Sequence, residues 1–109
     1  MPPINEFEQL VLLALARAGA NGYGIEVRRI IEERGARHAS LAAVYAALGR
    51  LEERGYVTSR VEPPTGRRGG RATKHFEVTE VGISALQAAR ASMARMWDGL
   101  ELGRYREAR

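Results

Sequence analysis

Arg67, Arg68, Arg71 and Lys74 lie close together and are interleaved with Gly66, Gly69 and Gly70. Cationic side chains on a glycine-rich segment suit one chemistry above others. Glycine lets the backbone approach a polyanion, and the cations neutralise its phosphates or enter a narrow minor groove. The charge distribution points the same way. The chain carries a net +4, all of it between Arg60 and Lys74, where five cations face one anion, Glu62; elsewhere 12 cations balance 12 anions. Such a patch marks a polyanionic partner.

A second candidate surface begins at Ser40. Ser40, Ala42, Ala43, Ala46, Ala47, Gly49 and Arg50 fall outside the apolar stripe of their segment, with Tyr45 at its edge. A helical face of small side chains can reach the floor of a DNA major groove. Alanine methyls can meet thymine methyls there, and Ser40 or Arg50 can reach base edges or phosphates. Tyr45 offers a ring to the core edge and a hydroxyl to a phosphate, and both uses stand. With so few donors, part of the specificity has to come from DNA shape.

Other chemistry lacks its residues. The chain has no cysteine, which excludes disulfides, thiolate zinc sites and cysteine nucleophiles. His38 and His75 have no second ligand at motif spacing, and no serine has a base placed to activate it. No metal, cofactor or enzymatic activity is expected. Arg28, Arg29, Arg34 and Arg37 alternate with Glu26, Glu32 and Glu33, the pattern of a solvated face.

The elements that must position these residues can be read from periodicity. With 109 residues and 45% apolar content the chain suits one domain with a small core. Phe7, Leu10, Val11, Ala14 and Leu15, widened by Leu12 and Leu13, predict a helix capped by Asn5 and ended by Gly19. It is apolar on most sides and should be sandwiched. Ile25, Ile30 and Ile31, with Tyr23 and Val27 flanking, predict a second helix ending at Gly35. A short connection leads to a third, capped by Ser40, with Leu41, Val44, Leu48 and Leu51 inward and Gly55 at its end. Two short helices joined so tightly have the shape of a helix-turn-helix. The period then changes to two in YVTSRVE and again in KHFEVT, around the breaker-rich PPTGRRGGRAT, predicting a β-hairpin with a long tip.

From Thr79 the helical period returns, with Ile83, Leu86, Met93, Trp97 and Leu100 near a heptad seam. A helix from Thr79 to Leu102 would run about 35 Å, too long to pack wholly on so small a domain. Leu86, Met93, Trp97 and Leu100 are therefore expected to meet a second copy. Met93, Met96 and Trp97 can line an effector cavity there or simply pack between helices. The start, MPPINEFEQL, does not read as a signal peptide, and the apolar run from Leu10 to Ala16 is too short for a bilayer, so a soluble cytoplasmic protein is expected.

The segments EQLVLLALARAGANGYGIEVRRIIEERG, SLAAVYAALGRLEERGYVTSRVE and GRRGGRATKHFEVTEVGISAL, in this order and spacing, resemble the PadR family of transcriptional regulators. Tyr23-Gly24, Ser40-Leu41 to Val44-Tyr45, Arg50-Leu51-Glu52 to Gly55, and Gly69-Gly70-Arg71 leading to Thr79 and Gly82 carry the likeness. The resemblance implies a winged-helix dimer that represses by operator binding, is often released by a small molecule, and here is similar to the compact branch with one C-terminal dimerisation helix. By that analogy the Ser40 helix reads the major groove, and residues 67–74 form the wing. One departure is the alanine-rich third helix.

The expected architecture is thus an α-rich α+β winged helix-turn-helix domain over residues 1–78, followed by a dimerisation helix and tail over 79–109. Double-stranded DNA, a second copy of the chain and a hydrophobic or aromatic effector are the expected partners. The alternative is a winged-helix module that docks a protein and touches DNA only nonspecifically.

Overall fold

Helix α1 (Glu6–Ala18) begins where Asn5 leaves the helical region and its side chain accepts the Glu8 amide, while the Glu8 carboxylate takes the Asn5 amide in return. This reciprocal capping box satisfies two donors that a helix start leaves unpaired. The computed structural model describes residues 3–35, 37–64 and 73–108. Helix α1 buries Val11, Leu12, Ala14 and Leu15 and packs against α2 (Gly24–Arg34) and α3 (Leu41–Glu53). Strands β1 (Val57–Glu62) and β2 (Thr73–Val78) pair antiparallel, from Val57 opposite Val78 to Glu62 opposite Thr73. Helix α4 (Glu80–Trp97) follows β2 directly, and α5 (Leu102–Ala108) ends the described chain. The core gathers Val11, Leu12, Val27, Val44, Leu48, Leu51 and Val57 from the three helices and the hairpin. This is the expected winged helix-turn-helix with a C-terminal helix.

The hairpin is fastened to the connection between α1 and α2. The Phe76 amide donates to the Gly22 carbonyl at 2.7 Å, and Tyr23 and His75 form an isolated antiparallel bridge. His75 and Phe76 are both buried although adjacent strand residues face opposite sides. Phe76 enters the core, whereas His75 packs edge-on against Tyr23 and its Nε2 lies 3.0 Å from the Ala20 carbonyl. A carbonyl only accepts, so Nε2 carries the proton.

Three expectations change. Ile25 belongs outside the buried stripe: it is 67% exposed, whereas Gly24, Val27 and Ile31 are buried. Helix α2 starts at Gly24, and the spacing of 24, 27 and 31 aims that face at the core and turns Ile25 about 100° away. Ala47 is buried, not outward, because it completes the stripe of Val44, Leu48 and Leu51. The long C-terminal helix is interrupted. Asp98 adopts φ −57°, ψ 126° and Gly99 has φ +74°, so α4 stops at Trp97 and Leu100 lies in the turn before α5. Eighteen helical residues span about 27 Å. Thr79 caps α4 by accepting the Gly82 amide at 3.1 Å and donates to the Gly55 carbonyl at 2.7 Å.

Helix α4 leaves the body of the domain after its first turns. Ala85, Leu86 and Ala89 are half-buried against the core, and every residue from Arg90 to Glu107 is exposed. The radius of gyration is 17.0 Å, with extents of 63 × 28 × 20 Å, where a compact chain of this length would have about 13 Å.

Two glycines test the joints. A methyl group on Gly22 would stand 2.1 Å from the Phe76 carbonyl oxygen, whereas one on Gly24 would meet only the outer atoms of the Tyr45 ring, at 2.5 Å or more. A ring end can swing aside and a strand carbonyl cannot. Gly22→Ala is therefore expected to cost at least about 2 kcal/mol and Gly24→Ala distinctly less, measured by urea unfolding. Equal costs would show that the hairpin is not held at Gly22.

Candidate nucleic-acid interface

Ser40 leaves the helical region and its Oγ accepts the Ala43 amide at 3.1 Å, which starts α3. With Val44, Ala47, Leu48 and Leu51 inward, the 100° step per residue puts Ala42, Ala46 and Gly49 on the outermost ridge, all of them exposed. Ala43 and Arg50 form one flank of that ridge and Tyr45 the other. Nothing lies within 4 Å of where a Gly49 side chain would begin. Among the expected residues of this helix, Ala42, Ala43, Tyr45 and Arg50 thus share one solvent-facing surface, and Ser40 is exposed at the helix start.

The flanks are tied into the fold. The Tyr45 ring lies over Gly24, with its centroid 6.4 Å from that of Phe76, so its apolar body serves the core edge while 43% of it remains exposed. Arg50 Nε donates to Glu8 Oε2 at 3.0 Å, and Arg54 Nη1 approaches Glu8 Oε1 at 3.7 Å. Burial alone would raise the Glu8 carboxyl, but the Asn5 amide and the Arg50 and Arg54 guanidiniums outweigh it and hold it below the ordinary carboxylate value.

Toward the loop end of the paired strands, Arg60 sits between Glu62 and Glu77, and Tyr23 donates its hydroxyl to Glu62 at 2.6 Å. Lys74 Nζ stands 3.8 Å from Glu52 and 5.8 Å above the Phe76 ring. The surplus cations of the window, Arg67, Arg68 and Arg71, lie outside the described residues. Two arginines of α2 pair along the helix as their pattern suggested, Arg28 with Glu32 and Arg29 with Glu26 and Glu33, while Arg37, beyond α2, reaches Glu6 of α1.

Periodicity missed two residues here. Glu8 lies in the acidic first turn of its helix, and its bond to Arg50 spans 42 positions. Ile25 borders a cleft of about 320 Å³ with Tyr23, Tyr45 and Lys74, and its place two residues after Tyr23 was the available signal. Among the described residues no cluster of His, Cys, Asp or Glu is arranged to hold a metal ion, and no helix is long and apolar enough to cross a membrane.

On α4, Leu86 is shared between the core and a surface groove of about 630 Å³ that it lines with Leu13, Ile83, Arg90, Met93 and Trp97. Met96 opens on the opposite side of the helix, into a groove of about 440 Å³ lined by Pro3, Ile4, Tyr56 and Ala85. Met93 borders both. The expected trio of Met93, Met96 and Trp97 is therefore split within one chain, because 96 and 97 diverge by 100° around the helix.

The fold has relatives of known structure. A PadR family regulator from Eggerthella lenta is 22% identical, with a TM-score of 0.69 over 95% of this chain and 88% of that one. A PadR family regulator from Clostridium difficile is 19% identical, with a TM-score of 0.68 over 84% and 91%. Bacillus subtilis PadR in complex with operator DNA is 16% identical, with a TM-score of 0.64 over 89% and 62%. No curated protein matches the sequence. The sequence profile described as the transcriptional regulator PadR-like family matches residues 11–88, more than half of the chain. With the capped third helix, the hairpin behind it and the projecting α4 inside or beside that span, the chain belongs to the PadR-like family of transcriptional regulators.

Proposed function

We propose that the chain is a homodimeric repressor that binds a pseudo-palindromic operator. Residues 1–78 supply the DNA-binding unit, and residues 79–109 the dimer contact. The observation that carries this is the bare outer ridge of α3, Ala42, Ala46 and Gly49, flanked by Ala43, Arg50 and Tyr45, on the same domain as a basic hairpin. Small side chains let the helix approach base edges, which Arg50 can reach from the flank, while Ser40 and Lys74 reach the backbone beside it. The B. subtilis neighbour is solved on operator DNA, which supports a duplex partner. Two-fold symmetry through α4 would present two α3 helices to half-sites one helical turn apart. Such a regulator acts where the chromosome is, in the cytoplasm.

A second copy would roof the groove beside Met93 and Trp97, and a flat hydrophobic or aromatic effector fits between the two Trp97 rings. The trigger is then a change in the angle between α4 helices, and with it the spacing of the α3 pair. A protein-docking module remains the competing function; it predicts no enrichment of any DNA sequence.

The test is selection of bound fragments from a genomic DNA pool, followed by binding of the selected duplex over a salt series. Replacing Arg67, Arg68 and Arg71 by alanine should weaken binding to operator and unrelated DNA alike. The slope of log affinity against log salt should fall by about 2–3 units, near one per lost phosphate contact. An unchanged slope would show that the hairpin does not clamp phosphates.

A further inference from the structure

Helix α3 offers one arginine on its outer flank, and that arginine is not loose. Arg50 is 49% exposed at its side chain, yet its Nε is spent inward on Glu8, whose side chain is only 6% exposed. Glu8 in turn is fixed at the third position of α1: its amide donates to the Asn5 side chain at 2.8 Å, and its Oε1 accepts the Asn5 amide at 2.9 Å. A guanidinium is a rigid fork of five donors. Pinning Nε leaves the two Nη groups to aim along one direction, referenced to the first turn of a well-packed helix.

We propose that Glu8 is a positioning residue for DNA recognition, which through Arg50 sets the direction in which α3 presents its guanidinium to the duplex. The inference rests on the DNA-binding function proposed above. Its physical content is a trade. An acid beside Arg50 cancels charge that would draw any phosphate, so it lowers nonspecific affinity. In exchange the fork is ordered before binding and loses less rotamer entropy when it meets its acceptor. A surface selected only for phosphate attraction would leave Arg50 unpaired; one selected for direction holds it as seen here.

Glu8→Gln separates these effects, because glutamine also serves at the third position of a capping box while it removes the charge and one of the two acceptors. The measurements are affinities for the selected operator and for an unrelated duplex of equal length. They are made on the intact protein and on Glu8→Gln, Arg50→Ala, Arg50→Lys and the Glu8→Gln/Arg50→Ala double variant, with thermal melting of each. Arg50→Ala should lower the ratio of specific to nonspecific affinity about tenfold, the scale of one directed arginine contact. Glu8→Gln should lower it by a similar factor while tightening the unrelated duplex. Arg50→Lys should not restore the ratio, since a point charge cannot keep the fork. The double variant, which also avoids leaving Glu8 Oε2 without its Arg50 donor, should be no worse than Arg50→Ala alone.

Multiplying effects in the double variant overturn the proposal, because Glu8 would then act independently of Arg50. So does a Glu8→Gln protein that melts earlier with its ratio intact, or an Arg50→Ala protein with full specificity. A wild-type protein that enriches no DNA sequence overturns the DNA-binding function itself, and this proposal with it.

Discussion

Truncation after Ser84 is expected to yield a monomer that melts at lower temperature and no longer binds the operator, although α3 and both strands remain. Two losses combine. The domain gives up Ala85, Leu86 and Ala89, which are half-buried against its own core. The assembly gives up Met93, Met96 and Trp97, which stand exposed in the isolated chain, Trp97 by 56%. Burying each such side chain fully is worth about 1.5–3 kcal/mol, and three of them together rival the stability of a small domain, about 5–15 kcal/mol. An exposed strip of that size is therefore expected to be covered by its symmetry mate. Sedimentation equilibrium at low micromolar concentration checks the point on the intact protein, with emission of the single tryptophan shifting to longer wavelength as dilution separates the copies. An intact chain that sediments as a monomer and still binds a palindromic site tightly would remove the dimer from the mechanism.

Ala43→Glu is expected to abolish specific binding while leaving the protein as stable as before or more so. Ala43 is the third residue of α3, and its amide is already held by Ser40 Oγ. A glutamate there completes the Ser-x-x-Glu pattern, reaching back to the Ser40 amide, and favours the positive end of the helix dipole. The same carboxylate stands on the flank of the proposed reading surface, where it would face the phosphates and acceptor-rich base edges of the groove. Juxtaposed like charges cost several kcal/mol, so operator affinity should fall at least about a hundredfold. Binding titrations and thermal melting on the same preparation separate the two readouts. A stable variant with normal affinity would move the reading surface away from α3.

What was legible in the sequence was local. Asn5 and Ser40 cap helices through atoms three residues away, so short windows contain the whole interaction. The change from helical to alternating period at Tyr56 located the hairpin for the same reason. Ile25 and Ala47 were misjudged because hydropathy was weighed above phase: isoleucine is apolar enough to be assumed inside, and alanine small enough to be assumed outside. The helix stop after Trp97 was present as an Asp-Gly pair, a turn signal, but the spacing from Trp97 to Leu100 continued the seam and masked it. The link from Glu8 to Arg50 could not be read, since no local pattern joins residues that only the packing of α1 on α3 brings together. The arrangement of Arg67, Arg68 and Arg71 around a duplex rests on charge and composition alone.

The outermost ridge of α3 has a further consequence, for how such a protein can change over generations. Ala42, Ala46 and Gly49 contribute nothing to the core, and a side chain added at Gly49 meets open space. The residues that hold the fold and the residues that would touch base edges are therefore almost disjoint sets on one helix. Substitutions on the ridge can accumulate without threatening folding, so a duplicated copy of the gene could acquire a new target sequence by ordinary single changes. The stretch least informative about today's operator is the one where a different operator is easiest to write.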